Sequence, residues 1–330
     1  MLYAMRSAPS SVVVWLWLLS SAHSPALARA DAAQAARVMR PTVAELRAAY
    51  DRHDAIELER LARRIGAVRL VALVEQGSAP AQQAALEALG VLGSDDDSGG
   101  LGFLPRLVAL ADKSETTPAL SQLVMQAVER IAARVPRGEL DITELPADVP
   151  RAAVDALTAF AAREDRAAVT RVSAISAIAS LASLVPSATA RLSSLINVRD
   201  TEVRSAVAAA LPASAPLLLK LLSEDGNNVV AIAAGSVFCR DIPAPGAERK
   251  SDKALLRAME LPSAARVRLR ALVADDTIDE VERMDVLPCL RAGAQRSLEE
   301  QKADLEALRA LARGPDGAMK RRARAYGGGK

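Results

Sequence analysis

The chain of 330 residues is 51% hydrophobic, 25% charged and only 2% aromatic, with two cysteines and a formal net charge of +2. This balance excludes wholesale disorder and a disulfide-dense mini-scaffold, and the near-neutral charge argues against a general nucleic-acid or anionic-membrane binder. The length fits two ordinary domains or one elongated array.

Residues 1–30 read as a secretory signal peptide. Arg6 supplies the positive n-region, Val12 to Leu19 the apolar core, and Ala28-Arg29-Ala30 the small residues before a cleavage point at Asp31. The apolar core is shorter than the ~20 residues of a membrane span, so the mature chain is expected to have none. The expected location is the bacterial periplasm or exterior. Removal of this leader leaves 40 cations against 40 acids and takes away both tryptophans, and His53 becomes the only histidine.

Residues 31–64 are expected to form an N-terminal helical cap. Thr42 to Glu45 and Asp54 to Glu57 have capping-box spacing and start successive helices. Gly66, Gly77, Gly90 and Gly93 stand where helices should stop. Over residues 65–290 the apolar residues recur at i, i+3, i+4, i+7 and i+8, the spacing of one helix face. Ala81-Ala84-Ala85-Ala88-Leu89, Leu120-Leu123-Val124-Ala127-Val128 and Thr170-Ser173-Ala174-Ala177-Ile178 share that frame. So do Val203-Ala206-Val207-Ala210-Leu211, Val229-Ile232-Ala233-Ser236-Val237 and, poorly, Val281-Met284-Asp285-Pro288-Cys289.

Another apolar helix precedes each frame: Val68–Val74, Phe103–Ala111, Val154–Ala161, Ala190–Ile196, Leu217–Leu222 and Ala265–Val273. Neither member of such a pair buries its face alone, so the pairs must stack. Polar or proline-rich insertions fall at residues 94–100, 135–150 and 242–250. Ser297 to Glu300 opens a C-terminal capping helix within residues 291–318, and residues 319–330 read as a basic flexible tail.

The run Leu217 to Ala234 resembles the first helix, turn and second helix of a HEAT repeat, and Asp200 to Arg204 resembles the start of its second helix. The resemblance implies an all-α, right-handed α-solenoid of stacked antiparallel helix pairs, HEAT- or armadillo-like. It also implies a ladder between repeats, with Asp200 and Asp225 in the turns and Arg171 and Arg204 one turn later. The ladder position elsewhere holds Gln82, Ser121, Val230 and Glu282. Solenoids of this kind mostly act as binding scaffolds.

Asp95-Asp96-Asp97 has no acid at the twelfth position of a calcium loop, where Arg106 stands, and reads as a solvated linker. His53 lacks the second histidine that common zinc sites need and reads as a surface or capping residue. Cys239 and Cys289 either pair across about 50 residues or pack as two buried thiols. Lys320, Arg321, Arg322 and Arg324 either contact an anionic partner or form a solvated helix end. No catalytic, cofactor or metal constellation stands out. The expected function is therefore a non-catalytic, exported scaffold for a protein partner, with no sequence-specific nucleic-acid binding. The alternative is an exported enzyme or small-ligand binder whose site converges from several repeats.

Overall fold

The structure, a computed structural model, describes residues 43–92, 97–113, 115–140, 142, 145–240, 242, 260–291, 297–315 and 317–327. The leader, Thr42, Gly93, Asp95, Asp96 and residues 243–250 lie outside them, and so does whatever was expected there. Among the described residues there are sixteen α-helices and no strand.

The chain enters through α1 (Val43–Asp51) and α2 (Ala55–Ile65). His53 takes a left-handed φ of 54°, and its N–H reaches Tyr50 O at 2.9 Å while Asp54 N–H reaches Ala49 O at 3.0 Å. These two bonds satisfy the last carbonyls of α1 in the Schellman manner. Asp54 then accepts from Glu57 N at 3.0 Å and starts α2. The reciprocal half of the capping box is absent, because the Glu57 carboxylate pairs with Arg60 instead.

Seven pairs follow: α3 (Ala67–Gln76) with α4 (Ala79–Val91), α5 (Leu104–Asp112) with α6 (Pro118–Ala133), and α7 (Asp148–Ala162) with α8 (Ala168–Ser180). Next come α9 (Ala188–Ser194) with α10 (Thr201–Ala210), α11 (Pro216–Glu224) with α12 (Asn228–Cys239), and α13 (Ser263–Ala274) with α14 (Glu280–Arg291). The last is α15 (Leu298–Arg313) with α16 (Ala318–Gly327). Short 3-10 turns cover Asp97–Phe103 and Leu195–Asn197.

The second helices form one continuous row, α4 on α6, α8, α10, α12, α14 and α16 in turn, and α1 and α2 pack on α4 at its start. First helices pack beside them, with α5 against α7, α7 against α9, and α11 against α13 against α15. One apolar core runs between the rows from Leu46 to Tyr326. This is an α-solenoid.

Small residues set the spacing of the second row. Ala84, Ala85 and Ala88 of α4, and Ala174 and Ala177 of α8, are fully buried. Gly235 of α12 is the extreme case, since a Cβ there would lie 3.0 Å from Val286 Cγ1 and 3.2 Å from Leu269 Cδ2. One turn further along, this close approach brings Cys239 and Cys289 to a Cα–Cα distance of 5.4 Å, and they are disulfide-bonded. Equivalent positions on neighbouring solenoid helices are ordinarily ~10 Å apart, too far for the bond.

Several expectations are corrected. Gly90 does not stop α4. It lies inside the last turn, where its missing side chain leaves room for Arg130, and Arg130 pairs with Glu87. In α12 burial takes in Val230, Ala231, Ile232, Ala234, Gly235 and Val237 to Cys239, so Ile232 and Val237 of the expected frame are buried, whereas Ala233 and Ser236 are half-buried and Val229 in the first turn is 44% exposed. In α14 Val281 is exposed, and burial is confined to Val286 through Leu290. Beside the joint at 135–150, Arg134 donates to Leu92 O, and Leu140 within it is buried.

Residues 319–330 are not a frayed tail as far as Gly327. Met319, Ala323 and Tyr326, at i, i+4 and i+7, are buried and dock α16 on α14 and α15. Replacing Gly235 with valine should cost about 1–3 kcal/mol by overpacking, although valine has the better helix propensity. Denaturant unfolding would measure this. Breaking the disulfide with Cys289→Ser should cost up to about 4 kcal/mol by the loop-entropy relation.

Candidate interaction surface

Each first helix ends with carbonyls that have no partner within the helix, and the next helix begins with amides in the same condition. The residues at the turns answer both needs. At the ladder position, Gln82 Nε2 donates to Val74 O at 2.9 Å, Ser121 Oγ to Ala111 O at 3.0 Å, and Arg171 Nε to Ala161 O at 2.8 Å. In every case the acceptor lies in the last turn of the preceding first helix. Arg171 is only 2% exposed and has no carboxylate partner among the described residues. Its expected place in an Asp–Arg ladder is therefore corrected: it closes its own helix pair, with its charge at the negative end of α7. Val230 has no side-chain donor to play this part.

Arg204 does form a rung between pairs. Its Nη1 lies 3.1 Å from Asp225 Oδ2, while Asp225 Oδ1 accepts from Asn227 N at 2.8 Å. One carboxylate thus closes its own turn and ties it to the preceding pair. Asp200 takes no rung among the described residues. It caps α10, accepting from Glu202 N at 2.9 Å and Val203 N at 3.1 Å. Asn227 caps α12 in the same way.

The series continues through Asn228 to Arg268 and Asp275, the last two not singled out in the sequence. Arg268 donates to Asn228 Oδ1 at 2.7 Å, and Asn228 Nδ2 donates to Asp275 Oδ2 at 2.6 Å. Earlier in the chain, Asp112 takes Arg163 at 2.9 Å and Arg166 at 3.3 Å, and Arg106 grips Glu75 with both nitrogens. Asp275 was concealed by distance, since it follows Asp225 by 50 residues whereas Asp225 follows Asp200 by 25.

Away from the turns, the outer side of the second row is poor in charge over α8, α10 and α12. On α8 it carries the exposed Val169 beside the half-buried Val172, Ser176 and Ala179; on α10, the exposed Glu202 and Ala209 beside the half-buried Ser205 and Ala206; on α12, the exposed Val229 beside the half-buried Ala233 and Ser236. The only charged residue in α8 is the buried Arg171, and α12 has none. In a chain that is 25% charged, this side of the three helices, with Glu202 as its charged residue, has little to desolvate. It ends at Asp285 of α14, which accepts from Ser236 Oγ at 3.2 Å.

A separate cavity of about 190 Å³ lies at the start of the stack, lined by Tyr50, His53, Asp54, Leu58, Glu87 and Val91. His53 stands on its rim because its left-handed backbone closes α1. Of the four tail cations, Lys320 is half-buried, while Arg321, Arg322 and Arg324 are exposed on α16. No group of three or more His, Cys, Asp or Glu among the described residues is arranged to hold a metal ion.

The electrostatics of the turns follow from these contacts. The Arg106 guanidinium holds the Glu75 carboxyl below its ordinary value, and the Thr277 hydroxyl and amide do the same for Asp275. Arg163 lowers Asp165 to about 2. Burial, with Asp279 and Asp285 nearby, pushes Glu282 the other way.

No protein-family model matches this chain, and no curated protein is similar to it in sequence. Among solved structures, it is similar to a designed armadillo repeat protein at 18% identity and a TM-score of 0.38, over 79% of this chain and 98% of that chain. The solenoid assignment rests on the packing of the helix rows themselves.

Two outcomes are expected. The lowered carboxyls bind fewer protons folded than unfolded, so their stabilisation is complete above the ordinary carboxyl range and is lost as pH falls through the folded values toward 2. Glu282 contributes with opposite sign. The melting temperature should be level from pH 7 to about 5 and fall below about 4. A double-mutant cycle on Arg204→Ala and Asp225→Ala should give a coupling of about 1 kcal/mol in denaturant unfolding.

Proposed function

We propose that this protein is an exported, HEAT-like, non-catalytic scaffold that binds another protein of the bacterial envelope or exterior along the exposed side of its second helix row. The charge-poor strip over α8, α10 and α12 carries this reading, because burying it on a partner costs little desolvation of charge. The polar side chains beside it support the same view. Asp200, Asp225, Asn227 and Asn228 cap helices or link pairs. Two features support export: the leader-like character of residues 1–30 and the Cys239–Cys289 bond, which suits an oxidising compartment. No helix among the described residues is long and apolar enough to cross a membrane.

The cavity beside His53 favours a second reading, a small-ligand binder, in which Tyr50, His53 and Glu87 would supply the polar contacts.

Crosslinking followed by pull-down from envelope extract tests the scaffold. The wild-type chain should capture a stoichiometric protein, and the strip variant Ala209→Arg/Val229→Arg, at two exposed positions, should lose it with an unchanged melting curve. Capture retained by the strip variant would refute the assigned surface. N-terminal sequencing of the exported protein should begin at Asp31.

A further inference from the structure

The neutral charge of residues 31–330 conceals a separation. Residues 305–330 carry seven cations against two acids, whereas residues 31–304 carry 33 against 38. The positive part is ordered through Gly327 as the second half of α15 followed by α16, the helix that ends the second row.

Elsewhere the arginines are largely engaged within the fold: Arg106 with Glu75, Arg163 and Arg166 with Asp112, Arg204 with Asp225, and Arg270 with Asp304. On α16, Arg321, Arg322 and Arg324 are exposed, and none has an ion-pair partner among the described residues. Arg309 and Arg313 of α15 are exposed as well.

Stabilisation of a helix end does not account for this arrangement. Only Arg324 lies in the last turn of α16, where the helix dipole favours a cation. Arg321 lies nearer the positive end, and it stands three residues from Arg324, so the two repel each other on one face. The fold holds these charges together at a cost to the helix.

We propose that the outer face of α16 is an electrostatic docking surface for an anionic phospholipid membrane. The apolar residues of the helix, Met319, Ala323 and Tyr326, are turned into the protein, so the exposed face offers charge without large apolar side chains. A protein partner would ordinarily find aromatic or aliphatic anchors at such a face, whereas a lipid surface answers to uncompensated cations alone. Base stacking has no aromatic platform there either, since Tyr326, the only aromatic residue of α16, is 6% exposed. Because α16 closes one end of the stack, adsorption through it leaves the exposed strip over α8, α10 and α12 free.

Vesicle co-sedimentation of the purified protein tests this, with phosphatidylcholine vesicles that contain or lack phosphatidylglycerol. Binding should require phosphatidylglycerol at about 0.15 M salt and vanish near 1 M, where the screening length falls from about 8 to 3 Å. At roughly fivefold per arginine, R321Q/R322Q/R324Q should weaken binding on the order of 100-fold. The control R52Q/R69Q/R151Q, with the same charge change at exposed positions elsewhere, should bind within about twofold of wild type. Three results would overturn the proposal: no binding to phosphatidylglycerol vesicles, an equal loss in the control, or salt-sensitive binding to heparin or polyglutamate without vesicle binding. The salt and lipid dependence of the wild-type chain reads the proposal without any substitution.

Discussion

Each helix pair in this chain carries an apolar face that only the next pair can cover, and this sharing of one core between neighbours governs the rest of the structure. It requires the second helices to lie close along their whole row, which alanine on α4 and α8 allows and Gly235 on α12 takes furthest. The disulfide follows from that approach. Cys239 and Cys289 meet because α12 and α14 are drawn together beside Gly235, and the bond then ties the last two pairs to the main row. The same need for cover explains the two ends. The α1–α2 cap packs on α4, and α16 turns Met319, Ala323 and Tyr326 inward to close the far end.

Stacking leaves many helix ends near one another, and the polar residues are distributed accordingly. The ladder position acts in two directions. Gln82, Ser121 and Arg171 reach back to the preceding first helix, while Arg204 reaches forward to Asp225. Both arrangements satisfy groups that would otherwise be left unpaired in a partly buried turn. With charge concentrated in the turns, the helix faces between them are left with alanine, serine and valine. The charge-poor strip is thus the counterpart of the polar turns.

The separation of charge along the chain adds a third level. A near-neutral molecule with a positive end has a strong local field that its net charge does not report, because screening confines each patch to its own neighbourhood. Composition argues against a general anionic-membrane binder, and that conclusion holds for the body of the stack. The arginines of α16 make the end of the row a separate case.

Much of the architecture is legible in the residues. Helical spacing, the Asp54 and Ser297 caps and the helix-pair order all follow from local rules, because capping bonds and apolar periodicity act within a few residues. Register within a helix was less secure. Val229 and Val281 belong to periodic frames but stand exposed in first turns, so burial starts at Val230 in one helix and only at Val286 in the other. The spacing of Met319, Ala323 and Tyr326 was a readable sign that α16 docks, outweighed by the cations between them. By itself, the sequence determined that the chain is helical, paired and repetitive, since those properties come from interactions between near neighbours. Tertiary structure alone decided that Arg171 faces a carbonyl rather than an aspartate, that Asp225 connects to Arg204, and that two cysteines 50 residues apart touch. Those outcomes depend on how closely separate helices approach, and that distance is set by side chains from several pairs at once.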